Sequence, residues 1–133
     1  MAAGLGILMG LGQDGGRAGW LLILLGLILG FRVVQHLTWK QAVWVGWALG
    51  AGYFAYSLRW IVEPFFVDPW RHGWMAPFAI LGMGGGLALF WAAAFGLSAR
   101  LAAAPGPRFT LMAALLIVAE YARAHVLSGF PWA

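Results

Sequence analysis

The stretch WMAPFAILGMGGGLALFWAAAFGL, from Trp74 to Leu97, runs 24 residues without a charge. Crossing about 30 Å of hydrocarbon takes about 20 consecutive apolar residues at about 1.5 Å per residue, so this segment is long enough to span a bilayer as one helix. Working outward, Gln41 to Trp60 (QAVWVGWALGAGYFAYSLRW) is uncharged until Arg59 and also qualifies. Trp20 to Val34 (WLLILLGLILGFRVV) is shorter and spans with Arg32 snorkelling to the interface. Phe109 to Leu127 reaches spanning length with Glu120 and Arg123 near its far end, and Met1 to Leu11 reads as part of a first span. Backbone in lipid must satisfy its own hydrogen bonds, so these segments are expected to be helices. The expected fold is all-α: a polytopic transmembrane bundle of about five helices, the first one short, filling residues 1–133 as one membrane domain.

Composition agrees. Hydrophobic residues make up 63% of the chain and charged residues only 9%, against roughly one quarter charged in soluble domains. With no cysteine there is no disulfide, no thiolate nucleophile and no cysteine metal ligand. The formal charge of +4 comes from cations spread singly, never a basic patch interleaved with exposed aromatics, so nucleic acid is not an expected partner. The N-terminus lacks the basic n-region and small-residue cleavage site of a signal peptide.

Trp20, Trp39, Trp60, Trp70, Trp74 and Trp132 fall at proposed span ends, where amphipathic rings prefer the membrane interface, whereas Trp44, Trp47 and Trp91 lie deeper. Orientation follows from the loop cations. Loops 32–40 and 98–108 each hold two cations and no acid and are expected on the cytoplasmic side. Loop 59–73 balances Arg59 and Arg71 against Glu63 and Asp68, Gln13 to Gly19 balances Asp14 against Arg17, and both are expected outside with the C-terminal end.

Two candidate sites share that outer face. In LRWIVEPFFVDPWRHGW, Trp60 and Glu63 are three residues apart on one helical face, and Pro64 disfavours helix at Glu63, which stops the span there. Glu63 fits two readings: an interfacial carboxylate balancing Arg59, or the wall of a lipid-headgroup or peptide site with Phe65 and Phe66 dipping into the bilayer. Glu120 and Arg123 are also three apart and can pair along their helix. Charges so near hydrocarbon are costly unless paired or hydrated, which makes them functional candidates alongside a purely structural ion pair. Phe130-Pro131-Trp132 then turns the chain along the interface. Glu120, His125 and Ser128 do not make a catalytic triad, because Glu120 is rotated about 140° from His125 at about 100° per residue. No histidine pair has metal-ligand spacing, and neither metal nor other cofactor is expected. The pairs Gly26/Gly30, Gly46/Gly50 and Gly82/Gly86 are expected to bring helix backbones together within a monomer. GMGGG at 82–86 is no phosphate loop, since no lysine follows it.

The terminal stretch EYARAHVLSGFPW resembles the E-[FWY]-x-R-[GA]-x-x-x-[ST]-G-F-P-W signature of bacterial apolipoprotein N-acyltransferases. GWALGAGYFAYSLRWIVEPFFVD is similar to that family's third membrane segment and first long periplasmic loop, and GLGQDGGRAGWLLILLGLILGFR to its opening helices. Ala124 stands where many members have glycine, and Asp14-Gly15 where a proline-containing turn is common. The resemblance implies the last step of lipoprotein maturation in the bacterial inner membrane: an acyl chain moves from a phospholipid donor to the α-amino group of the diacylglyceryl-cysteine of an apolipoprotein acceptor. In that family a periplasmic nitrilase-like domain supplies a Glu-Lys-Cys triad, whose cysteine forms a thioester while glutamate acts as base and lysine stabilises the oxyanion. This chain has no cysteine and a single lysine, Lys40. The resemblance therefore implies an N-terminal membrane fragment without catalytic residues, inactive alone, that anchors the enzyme and lines lipid access. Its implied lipid-proximal residues are Trp60, Glu63, Glu120, Arg123, Phe130 and Trp132, with Arg123 meeting a phosphate. The rival reading is a complete small polytopic protein serving as a transporter subunit or assembly factor.

Overall fold

The computed structural model describes residues 1–14, 16 and 19–126, the side chain of residue 126 excepted. Among these residues there is no strand. The order is α1 (Ala2–Asp14), α2 (Gly19–Val34), α3 (Trp39–Ser57), a 3-10 helix (Arg59–Phe66), α4 (Pro69–His72), a 3-10 turn (Gly73–Met75), α5 (Ala76–Leu101) and α6 (Pro105–Val126). The expected all-α class is observed. Of the expected spans, one stretch, Pro69–Leu101, is by itself long and apolar enough to cross a membrane, and Gly19–Val34 is a shorter apolar helix. α3 has the length, but Lys40, Gln41, Ser57 and its glycines dilute its apolarity.

The ends of the helices have local causes. Thr38 opens α3 with a capping box: its backbone N–H donates to Gln41 Oε1 at 3.0 Å, and the Gln41 N–H donates back to Thr38 Oγ1 at 3.5 Å, so two orphan donors are satisfied reciprocally. Pro105 and Pro107 lie in the first turn of α6, where the missing N–H costs nothing. The helix thus starts before Phe109, and the expected 98–108 loop shrinks to 102–104 between α5 and α6. Gly16, between α1 and α2, has φ +55°, a left-handed conformation that suits glycine.

The segment 59–73 departs most from expectation. α3 stops at Ser57 rather than running to Pro64, and the chain tightens into the 3-10 helix that contains Glu63 and Pro64. At three residues per turn, side chains three apart eclipse, so Trp60, Glu63 and Phe66 form one row. All three are exposed, while Ile61, Val62 and Phe65 are half-buried.

α3 is the central element. It packs against α5 on one side and α1 on the other, α1 pairs with α2, and α5 carries α6. Where α1 meets α3, a Cβ on Gly6 would strike the Leu49 carbonyl oxygen and one on Gly52 that of Ala3, so these backbones touch. A Cβ on Gly46 would lie 2.7 Å from Phe95 Cβ and 2.9 Å from the Trp91 carbonyl oxygen, and one on Gly50 3.1 Å from Ala88 Cα. Gly26 and Gly30 are likewise against Met9 and Leu49. The pair Gly82/Gly86 does not behave as expected: nothing lies within 4 Å of either position. The buried stripe of α5 runs through Gly84, Leu87, Ala88, Trp91 and Phe95, a helical register that leaves 82 and 86 to the side. Phe54, Phe95, Leu49 and Met9 centre the core. The exterior is apolar, with Trp20, Leu21, Leu24, Leu25, Ile28 and Leu29 of α2 all exposed.

Candidate functional site

The buried stripe of α6 is Arg108, Met112, Leu116, Ala119 and Arg123, spaced three or four residues apart and ending in arginine at both ends. Arg108, at the expected cytoplasmic end, donates from Nη1 to the Gln35 carbonyl and from Nη2 to the Leu37 carbonyl, both at 3.0 Å. It satisfies acceptors left where α2 ends.

At the opposite end, Arg123 bends back along the helix. Its Nη2 and Nε donate to Glu120 Oε2 at 2.7 and 3.0 Å. The other carboxylate oxygen, Oε1, accepts from the Trp91 indole N–H at 2.6 Å. Arg123 also stands over the Phe54 ring, 5.3 Å from its centroid. The side chain of Arg123 is 4% exposed and that of Glu120 39%, so the carboxylate is the open half of the pair. Tyr53 stacks on Trp91 with centroids 5.2 Å apart and planes at 20°, and Gln13 Nε2 donates to the Tyr53 hydroxyl at 2.6 Å. Four helices thus converge on one polar network.

Glu120 faces a cavity of about 370 Å³ walled by Leu27, Tyr53, Trp91 and Leu116 among others, and an adjoining apolar cavity of about 280 Å³ continues between α2 and α6, sharing Leu27, Leu116 and Ile117. The arrangement orients a carboxylate at the wall of an apolar space. Both Glu120 oxygens are engaged, and His125 turns to its own helix, with Nδ1 2.8 Å from the Tyr121 carbonyl and its ring stacked on Tyr121.

Glu120 and Arg123 are paired as the i, i+3 spacing suggests. Trp60 and Glu63 stand on the exposed row of the 3-10 helix. Arg59 is not balanced by Glu63: it pairs with Asp14 at 2.8 Å, and the same Asp14 oxygen accepts from the Tyr56 hydroxyl at 2.9 Å. The Tyr56 hydrogen bond, and then Arg59, hold the Asp14 carboxyl below the usual carboxylate range. Phe130, Trp132 and Ser128 lie outside the described residues. Sequence reasoning missed Trp91, Tyr53 and Asp14 as members of these networks. Their partners are 29 to 45 residues away in the chain, and no local spacing announces such pairs.

Fold and site together define an all-helical, largely apolar domain that sets a buried arginine–carboxylate pair at the wall of an apolar cavity. The family model described as the apolipoprotein N-acyltransferase N-terminal domain matches residues 5–133. Apolipoprotein N-acyltransferase from Caulobacter vibrioides is 46% identical over 113 residues, covering 79% of this chain and 21% of the relative. The proteins of that name from Rhodopseudomonas palustris and Bradyrhizobium diazoefficiens are 41% and 38% identical, covering 68% and 83% of this chain and 17% and 20% of the relatives. No solved structure matches. The chain belongs to the apolipoprotein N-acyltransferase family, matches its N-terminal domain, and spans about a fifth of the length of these curated relatives.

Proposed function

We propose that this chain is the membrane domain of an apolipoprotein N-acyltransferase, which anchors the enzyme in the bacterial inner membrane and lines the lateral route of its lipid substrates. The observation that carries the reading is the family match across residues 5–133. In the complete enzyme the acyl donor is a phospholipid and the acceptor an apolipoprotein whose terminal diacylglyceryl-cysteine is N-acylated. α1, α2, α3, α5 and α6 cross or enter the bilayer, the helix ends and short turns within 32–40 and 98–108 face the cytoplasm, and residues 59–73 and the C-terminal end face the periplasm. The continuous apolar exterior supports this reading, since soluble monomers rarely leave such patches open. Trp60, Glu63, Glu120, Arg123, Phe130 and Trp132 form the outer rim of the lipid route. Within it Arg123 acts through Glu120, because a buried guanidinium held by that carboxylate is a counter-charge before it is a phosphate ligand.

The test is an N-acylation assay in phospholipid vesicles with a diacylglyceryl peptide. The 133-residue chain alone gives no product, whereas a full-length enzyme carrying this segment does. Turnover by the chain alone overturns the assignment of chemistry to another part of the protein. Reporter fusions check orientation: a phosphatase that works only in the periplasm is inactive at Ala103 and active at Asp68, and the reverse pattern overturns the topology.

A further inference from the structure

The segment from Trp60 to Phe78 exposes aromatic and branched side chains in a way the lipid-route reading does not require. Trp60, Phe66, Val67, Trp74 and Phe78 are exposed, and Trp70 is 97% exposed. They come from four consecutive elements, the 3-10 helix, α4, the 3-10 turn and the start of α5, which pack on one another. The other side of the 3-10 helix, Ile61, Val62 and Phe65, is half-buried, and this helix contacts α5. What the exposed side chains at Phe66, Val67 and Trp70 meet is read from the composition of the segment.

Three observations commit it to lipid. The helical stretch Pro69–Leu101 is 33 residues long; after the 3-10 turn that breaks it, α5 alone has 26 residues, roughly 39 Å at about 1.5 Å per residue against about 30 Å of hydrocarbon, so the bilayer can be crossed with α4 and the turn left among headgroups. The end holding Trp70, Arg71, His72 and Trp74 has amphipathic rings beside snorkelling cations, the composition of an interface. The exposed aromatics then continue without a break into Phe78 and Leu81 on the outside of α5, the helix best suited to cross.

Resting on the membrane reading above, we propose that residues 60–78 form an aromatic ledge that inserts into the outer leaflet at the headgroup boundary, with Phe66, Val67 and Trp70 embedded in lipid. The ledge sets the depth of the bundle and holds Glu63, between Trp60 and Phe66 in the eclipsed row, at headgroup level.

The chain has no cysteine, so single cysteines can be placed and spin-labelled without a background. Phe66→Cys, Val67→Cys, Trp70→Cys and, as a control, Leu89→Cys on the exposed side of α5 are reconstituted in phosphatidylcholine vesicles. Each label's collision rate is measured with oxygen, which partitions into lipid, and with a water-soluble nickel chelate. At 66, 67 and 70 oxygen is expected to exceed the chelate several-fold, as at 89. Chelate access equal to or above oxygen at 66, 67 and 70, with 89 still lipid-exposed, overturns the ledge alone. Low access to both reagents, with an immobilised label, shows protein covering the row and overturns it equally. Chelate access at 89 overturns the membrane reading itself.

Discussion

Trp91 shows how one side chain joins two functions. It is 6% exposed, its ring fills the core beside Phe54 and Tyr53, and its indole N–H fixes Glu120. Trp91→Phe keeps most of the packing and removes a hydrogen bond to a charged group, a loss of about 1.5–3 kcal/mol. Thermal unfolding in detergent should show it, and an unchanged midpoint would mean that the Trp91–Glu120 bond contributes nothing. At the end of α1 Asp14 is held below its usual range by Tyr56 and Arg59. Its contribution is therefore fully present above the ordinary carboxylate value of 3.8 and is lost as pH falls through the lowered folded value. Asp14→Asn should flatten the acid limb of a stability–pH profile and leave the neutral region's slope unchanged. Of these residues only the Glu120–Arg123 pair was legible in the sequence, because i, i+3 spacing is local. Trp91 read merely as a deep tryptophan, and Asp14 as one charge of a balanced loop.

Among the elements, α3 and α5 depend on backbone proximity. Gly46→Ala would press a methyl group into Phe95 and the Trp91 carbonyl, and overpacking of this kind costs about 1–3 kcal/mol. Gly82→Ala meets nothing within 4 Å and replaces a helical glycine, a gain of about 0.5–1 kcal/mol. Unfolding of the two variants in detergent should shift in opposite directions, and equal shifts would contradict the register of α5. The sequence showed both glycines in the same small-x-x-x-small pattern. Which one packs follows from the rotation of each helix about its own axis: α3 turns Gly46 toward Phe95 and Trp91, while α5 turns those two side chains inward and leaves Gly82 to the side. The 3-10 segment was misread for a related reason: proline at 64 marks a boundary but not its kind, and the tighter helix accommodates it.

At the scale of the whole molecule, the all-α class was legible, because long runs without charge leave helix as the economical way to satisfy the backbone, whereas of the five expected spans one stretch, Pro69–Leu101, is by itself long and apolar enough to cross a membrane. The terminal motif and the outer-loop pattern also sufficed to indicate the family, which the match over residues 5–133 shows. Deletion of α1 from a full-length enzyme is expected to lower its folded yield in membranes, since the backbones of α1 and α3 touch at Gly6 and Gly52; normal yield on a detergent-solubility assay would contradict the central place of that contact. What the sequence by itself determined was whatever rests on short-range spacing and composition: helices, their approximate ends, the adjacent ion pair and the apolar exterior. Only the tertiary structure decided that Trp91 clamps Glu120, that Asp14 rather than Glu63 takes Arg59, and that Arg108 holds the turn between α2 and α3. These pairings join residues 29 to 73 positions apart, and such distances close only when the rotation and tilt of whole helices have been settled by packing.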